Sequence, residues 1–184
     1  MTDSNAPIII APFANERLRE WPLANFHRFI ELGLADGYSF AISGTWAQRA
    51  LANTLVRPFP AHRVQNLCGT TDWREMQALL GRAPFVVANN SGIAHLAADL
   101  GQWLLCLFAG SHSWMEWMPR GPKVVTVARM PACSPCHSER CSNQRDCMVN
   151  LTGDLAYNEI ISTIADYNAA RGAPVQIRST EISG

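Results

Sequence analysis

Phe85-Val86-Val87-Ala88-Asn89-Asn90-Ser91-Gly92-Ile93-Ala94-His95 carries the pattern on which the architecture of this chain turns. Phe85 to Ala88 is an apolar run, Ile93 to Leu100 has helical character, and a small polar turn joins them. A strand that passes through such a turn into a helix points unpaired backbone N–H groups outward, and the positive end of the helix dipole adds to them. Phosphate fits there. Gly92 lets a ligand approach the backbone, Ser91 can cap the helix, and His95, four residues after Ser91, shares its helical face. The same residues also describe an ordinary strand–turn–helix joint with a buried histidine, so the turn alone does not establish a ligand.

Outward from this joint the same alternation recurs. Ile8 to Ala11 reads as a buried strand, and Pro22 can open a helix carrying Phe26, Phe29, Ile30 and Leu34 at helical spacing. Gly37 stops it. Tyr38 to Ile42 is a strand, Gln48 to Val56 a helix, and Arg63 to Leu67 a short strand. Thr71 or Asp72 caps a helix carrying Trp73, Met76, Leu79 and Leu80. Trp103 to Phe108 is a further strand, Val124 to Val127 the last, and Leu155 to Tyr167 a closing helix. Strands apolar along their whole length are covered on both faces, so the expected fold is α/β with a doubly wound parallel sheet. Ligands in such a sheet bind at the carboxyl ends of the strands, which places the turns Pro12 to Glu20 and Asn89 to Gly92 on one rim. Residues 1–170 form the expected domain, with a Cys-rich loop at 133–147 and a polar tail at 171–184.

The 184 residues suffice for one core. Formal net charge is zero, so the basic footprint that nucleic-acid binding needs is missing. No apolar run reaches membrane-spanning length, and Met1 to Asn5 does not start a signal peptide; the expectation is a cytoplasmic chain without a transmembrane segment. In that compartment the six cysteines read as thiols or metal ligands before disulfides. Cys133, Cys136, Cys141 and Cys147 match the ligand number of a structural zinc site, although their spacing departs from most zinc knuckles. Reduced or disulfide-bonded cysteines are the competing reading, and neither ferredoxin spacing is present. Cys68 and Cys106 read as core residues. Trp114, Trp117 and Met118 read as core packing at the same rim, or as a surface for a sugar, a base or a neighbouring domain. Arg17 and Arg19, in the first turn, can clamp phosphate oxygens if the second turn lies beside them.

In order along the chain stand Arg19-Glu20-Trp21-Pro22, Ser43-Gly44, Asn66-Leu67-Cys68-Gly69, Asn90-Ser91-Gly92-Ile93-Ala94-His95, and Phe108-Ala109-Gly110. This series resembles glycosyltransferase family 9, the heptosyltransferases of lipopolysaccharide, and the cysteine tail is closest to the heptosyltransferase II group. The resemblance covers residues 7 to 165 and implies a Rossmann-like domain equivalent to the C-terminal half of a GT-B glycosyltransferase. Such a half binds the nucleotide-sugar donor. The catalytic base is expected outside this chain, in an N-terminal Rossmann-like domain or partner chain that also holds the acceptor.

Carried over residue by residue, the family's lysine falls on Arg19, and its phosphate-facing pair on Ala14 and Asn15. The family's acidic residue falls near Gln48, and the aspartate of its Asp-Ser-Gly element is Asn90; Ser91, Gly92 and His95 match unchanged. The resemblance thus implies transfer from an NDP-sugar such as ADP-heptose to a glycan or lipid-linked acceptor, without a required cofactor, at the inner membrane's cytoplasmic face. A non-catalytic nucleotide-sugar-binding or interaction module is the alternative, because Asn90 and Gln48 stand where the family has acids.

Overall fold

A computed structural model describes residues 6–169 and 179–181. Its strands are β1 (Ile8–Ala11), β2 (Phe40–Ile42), β3 (Val64–Asn66), β4 (Val86–Asn89), β5 (Leu104–Phe108), β6 (Val124–Ala128) and β7 (Ser179–Glu181). Its helices are α1 (Leu23–Ala35), α2 (Arg49–Val56), α3 (Trp73–Arg82), α4 (Gly92–Asp99), α5 (Trp114–Trp117), α6 (Asp146–Val149) and α7 (Gly153–Ala169). All strand pairs are parallel, in the order β3-β2-β1-β4-β5-β6-β7. The doubly wound Rossmann-like sheet expected from the apolar runs is therefore present.

Alternation along each strand feeds two cores. Ile8 and Ile10 face one layer with Phe26, Phe29, Ile30 and Ile160, while Ile9 and Ala11 face the other with Leu80, Ala94 and Ala97. Phe29 of α1 sets its ring edge-on to Phe40, Phe85 and Tyr157. Full burial of such a ring contributes about 1.5–3 kcal/mol. Gly33 leaves room for this packing, because a Cβ there would lie 2.4 Å from Phe40 Cζ. Pro22 sits at the N-cap of α1, and Gly37 ends the turn after it with φ +90°. Of the two residues expected to cap α3, Asp72 does so: its carboxylate accepts the Glu75 N–H at 2.8 Å.

Within the polar tail expected at 171–184, Ser179–Glu181 add a strand to the sheet. These residues form β7, paired in parallel with Thr126, Val127 and Ala128 of β6. An edge strand is held by backbone hydrogen bonds to an open neighbour and needs no apolar run of its own. Positions 171–178 and 182–184 of that tail, and position 170 before it, lie outside the described residues.

The strand order puts the switch point between β1 and β4, which are neighbours with Ile10 opposite Val87 and Ala11 opposite Ala88. From β1 the chain leaves through α1 toward β2; from β4 it leaves through α4 toward β5. The two exits diverge and open a crevice at the carboxyl ends of the strands, where this architecture binds ligands.

Candidate functional site

Two side-chain hydrogen bonds close the floor of the crevice. Asn89, fully buried at the end of β4, accepts the Trp21 N–H through Oδ1 at 2.9 Å and donates from Nδ2 to the Pro12 carbonyl at 2.7 Å. The loop after β1 is thereby tied at both ends to the last residue of β4. Trp21 is fixed further by its indole N–H, which donates to the Leu151 carbonyl at 2.6 Å.

Above this floor lies a hollow of about 510 Å³. Ala14, Asn15 and Arg19 line it from the first loop, and Gln48 from the segment after β2. Asn90, Ser91, Gly92 and His95 line it from the second loop and α4. The structure thus gathers around one cavity all the residues carried over from the sequence motifs.

Individual residues depart from the simplest expectation. Ser91 occupies the N-cap position of α4 with extended backbone, φ −150°, yet its side chain makes no capping bond. Its hydroxyl oxygen is buried without a partner. Gln48 Oε1 accepts the Thr45 N–H at 2.8 Å in a capping box, so its carbonyl end is already engaged. Asn90 is buried beneath the rim, and its N–H donates to the Leu107 carbonyl at 3.2 Å. His95 lies exposed at the helix start rather than buried.

Arg19 sits at the end of a single 3-10 turn, Arg17–Arg19. Its Nη2 donates to Glu16 Oε1 at 2.7 Å and meets His112 Nε2 at 3.1 Å. Its Nε is buried without a partner. Arg17 turns away from this cavity and lines a second hollow with Glu16, His112 and His137. Burial, with help from Arg19 and His137, holds His112 below the usual histidine pKa against the opposing pull of Glu16.

Several lining residues carry no motif signal. Asp72, Trp73 and Met76 enter from the start of α3, and Trp73 is 59% exposed. Their clue is positional: α3 follows β3 and so begins on the same rim. Trp117 lines the cavity and is 57% exposed, so it does not serve the core packing expected of its group; Met118 does pack against the core. The short α5 that carries Trp117 presents it to solvent.

The cysteine loop folds under the end of β5. Cys136 N–H donates to the Gly110 carbonyl at 3.2 Å, and His137 N–H to the Ser111 carbonyl at 2.9 Å. Cys133, Cys136, Cys141 and Cys147 all line one small hollow of about 20 Å³. They sit at different depths, Cys133 and Cys136 exposed and Cys141 and Cys147 half-buried. Among the described residues, no group of three or more His, Cys, Asp or Glu is arranged to hold a metal ion. Burial pushes the Cys147 thiol pKa up. Cys68 and Cys106 are core residues as expected, and burial raises the Cys68 thiol to about 11. No helix among the described residues is long and apolar enough to cross a membrane.

Known proteins resemble this chain in sequence and in fold. A family model described as glycosyltransferase family 9 (heptosyltransferase) matches residues 2–146. The lipooligosaccharide heptosyltransferase 2 of Haemophilus influenzae is 26% identical over 115 residues, covering 61% of this chain and 33% of that protein. The structure of the ADP-heptose lipopolysaccharide heptosyltransferase II of E. coli superposes with a TM-score of 0.74 at 18% identity. It covers 90% of this chain and 49% of that one. A glycosyl transferase family 9 structure from Veillonella parvula gives a TM-score of 0.78 at 13% identity over 90% of this chain and 48% of that one. These structural likenesses concern the fold, and the chain spans about half the length of those solved relatives.

Proposed function

This chain belongs to glycosyltransferase family 9, and from that premise we propose that the switch-point cavity binds the diphosphate of an NDP-sugar donor, ADP-heptose or a close analogue. Two orphaned donors carry this reading. Arg19 Nε and the Ser91 hydroxyl are both buried, both lack a partner among the described residues, and both belong to residues on the cavity wall. A buried polar group without a partner costs about 1–3 kcal/mol. Diphosphate oxygens between the two loops satisfy both at once. The N-terminus of α4 adds its dipole, and Trp73 and Met76 offer an apolar wall to the base.

In transfer, the nucleoside diphosphate departs with growing negative charge while the sugar gains oxocarbenium character. Helix α4, the Ser91 hydroxyl, His95 and Arg19, which line the cavity, would stabilise that departing charge. The general base and the acceptor site belong, in this reading, to an N-terminal Rossmann-like half or partner chain. The acceptor would be a glycan or lipid-linked saccharide of lipopolysaccharide or a related surface glycan, met at the inner membrane's cytoplasmic face. The cysteine loop supports the rim by holding Gly110 and Ser111 in place.

A second reading, a nucleotide-sugar-binding module without transfer, draws on Gln48 and Asn90. Both are uncharged, and the Gln48 carbonyl is engaged by Thr45. Calorimetric titration with ADP, UDP and GDP tests the binding common to both. ADP binding that His95→Ala weakens supports the donor site, whereas no binding of any nucleotide refutes it. Sugar transfer on adding the N-terminal half then separates enzyme from module.

A further inference from the structure

We infer that His112 is a positioning residue for the donor: as a neutral hydrogen-bond acceptor it holds the Arg19 guanidinium in the pose that meets the diphosphate. The inference rests on the donor reading above and adds a residue that the family motifs do not include.

The geometry fixes the histidine's protonation. Arginine has only donors and does not deprotonate in proteins, so at 3.1 Å from Arg19 Nη2 the His112 Nε2 must present its lone pair. Its proton then resides on Nδ1, which lies 3.0 Å from the Ser111 hydroxyl and donates to it. Ser111 is buried and its carbonyl accepts the His137 N–H, so the relay is anchored to the end of β5. Two acceptors, Glu16 Oε1 and His112 Nε2, occupy the two protons of Arg19 Nη2. Nε, which has no partner among the described residues, is left to donate to an incoming oxyanion.

His112 does not line the donor cavity; it lines the second hollow, on the far side of Arg19, with Glu16, Arg17, His137 and Glu139. It therefore acts through Arg19. Glu16 is about half exposed and a weak anchor for a guanidinium in water. The imidazole is the better-shielded of the two. Protonated His112 would turn an N–H against Arg19 and release it, with Glu16 favouring that charge and Arg19 and His137 opposing it; Arg17 and Glu139 line the same hollow.

Two measurements test the inference. Nitrogen-correlated NMR of the imidazole in the whole chain should show the Nδ1–H tautomer at neutral pH. Its titration midpoint should lie below the usual histidine value and rise in Arg19→Gln. ADP titration should then find His112→Ala about tenfold weaker than wild type, and His112→Gln, which restores an acceptor, within about threefold. His112→Ala should melt as wild type does and should cost nothing further in an Arg19→Ala background. An Nε2–H tautomer, or an equal loss with and without Arg19, overturns the assignment. If the wild type binds no ADP while the Nδ1–H tautomer is present, the donor reading fails, and with it the role toward phosphate, but the Arg19–His112 hydrogen bond stands.

Discussion

The Asn89 side chain binds the Trp21 backbone N–H at 2.9 Å across 68 residues of sequence, and this bond makes two separate turns into one site. The second bond, to the Pro12 carbonyl, fixes the other end of the same loop. Asn89→Ala strands both buried partners. It should destabilise the chain by about 2–4 kcal/mol in urea unfolding and weaken ADP binding, because the Arg19 loop loses its anchor. Unchanged stability would mean that water replaces the amide and that the clamp is dispensable.

Ser91 separates ligand binding from folding. Its hydroxyl has no protein partner, so Ser91→Ala removes an unsatisfied group rather than a bond. Thermal stability should hold or rise slightly while ADP affinity falls several-fold, roughly the value of one hydrogen bond to a charged group. A drop in melting temperature with unchanged affinity would make Ser91 an ordinary cap.

Two glycines on the rim should behave oppositely. A Cβ on Gly44 would meet Gln48 Oε1 at 2.8 Å and both Cys68 Sγ and Phe13 Cδ2 at 2.9 Å, whereas one on Gly92 meets nothing within 4 Å. Gly44→Ala should cost about 1–3 kcal/mol of stability through overpacking. Gly92→Ala should leave stability intact or raise it by up to about 1 kcal/mol, as alanine does in helices, while hindering phosphate at the α4 backbone. Denaturant midpoints and ADP titration of the two variants check both halves.

Alkaline stability should run through Tyr157. Its hydroxyl donates to Asp36 Oδ2 at 2.6 Å, and burial together with that carboxylate raises its pKa. A raised folded-state value gives stability that is complete below the unfolded pKa of about 10 and is lost as pH climbs above it. The wild type should therefore weaken from about pH 10 upward, and Tyr157→Phe should lose most of that slope. Equal alkaline slopes in the two proteins would assign the loss to other groups.

Much of this architecture was legible because fully buried strands announce themselves. Ile8-Ile9-Ile10 and Leu104-Leu105-Cys106-Leu107 are apolar on both faces, as a covered parallel sheet requires. The strand Ser179–Glu181 was not legible: a polar edge strand carries no periodicity, and its pairing depends on β6 being open. The rim residues of both turns could be named from motifs in sequence order. What joins them could not, because the Asn89 clamp and the Arg19–His112 contact span 68 and 93 residues, and hydrogen bonds at such separations leave no local pattern. Exposure of Trp117 also escaped the sequence, since an aromatic beside a short helix reads the same whether it packs inward or faces a ligand.

In the proposed donor site, the loops at 14–19 and 90–95 present their unpaired donors to one diphosphate. Backbone amide shift mapping by NMR during ADP titration tests it most directly. Asn15, Arg19, Ser91, Gly92 and His95 should move together along one binding curve, and this common response should disappear in Asn89→Ala. Shifts confined to one of the two loops, or centred away from both, would contradict it.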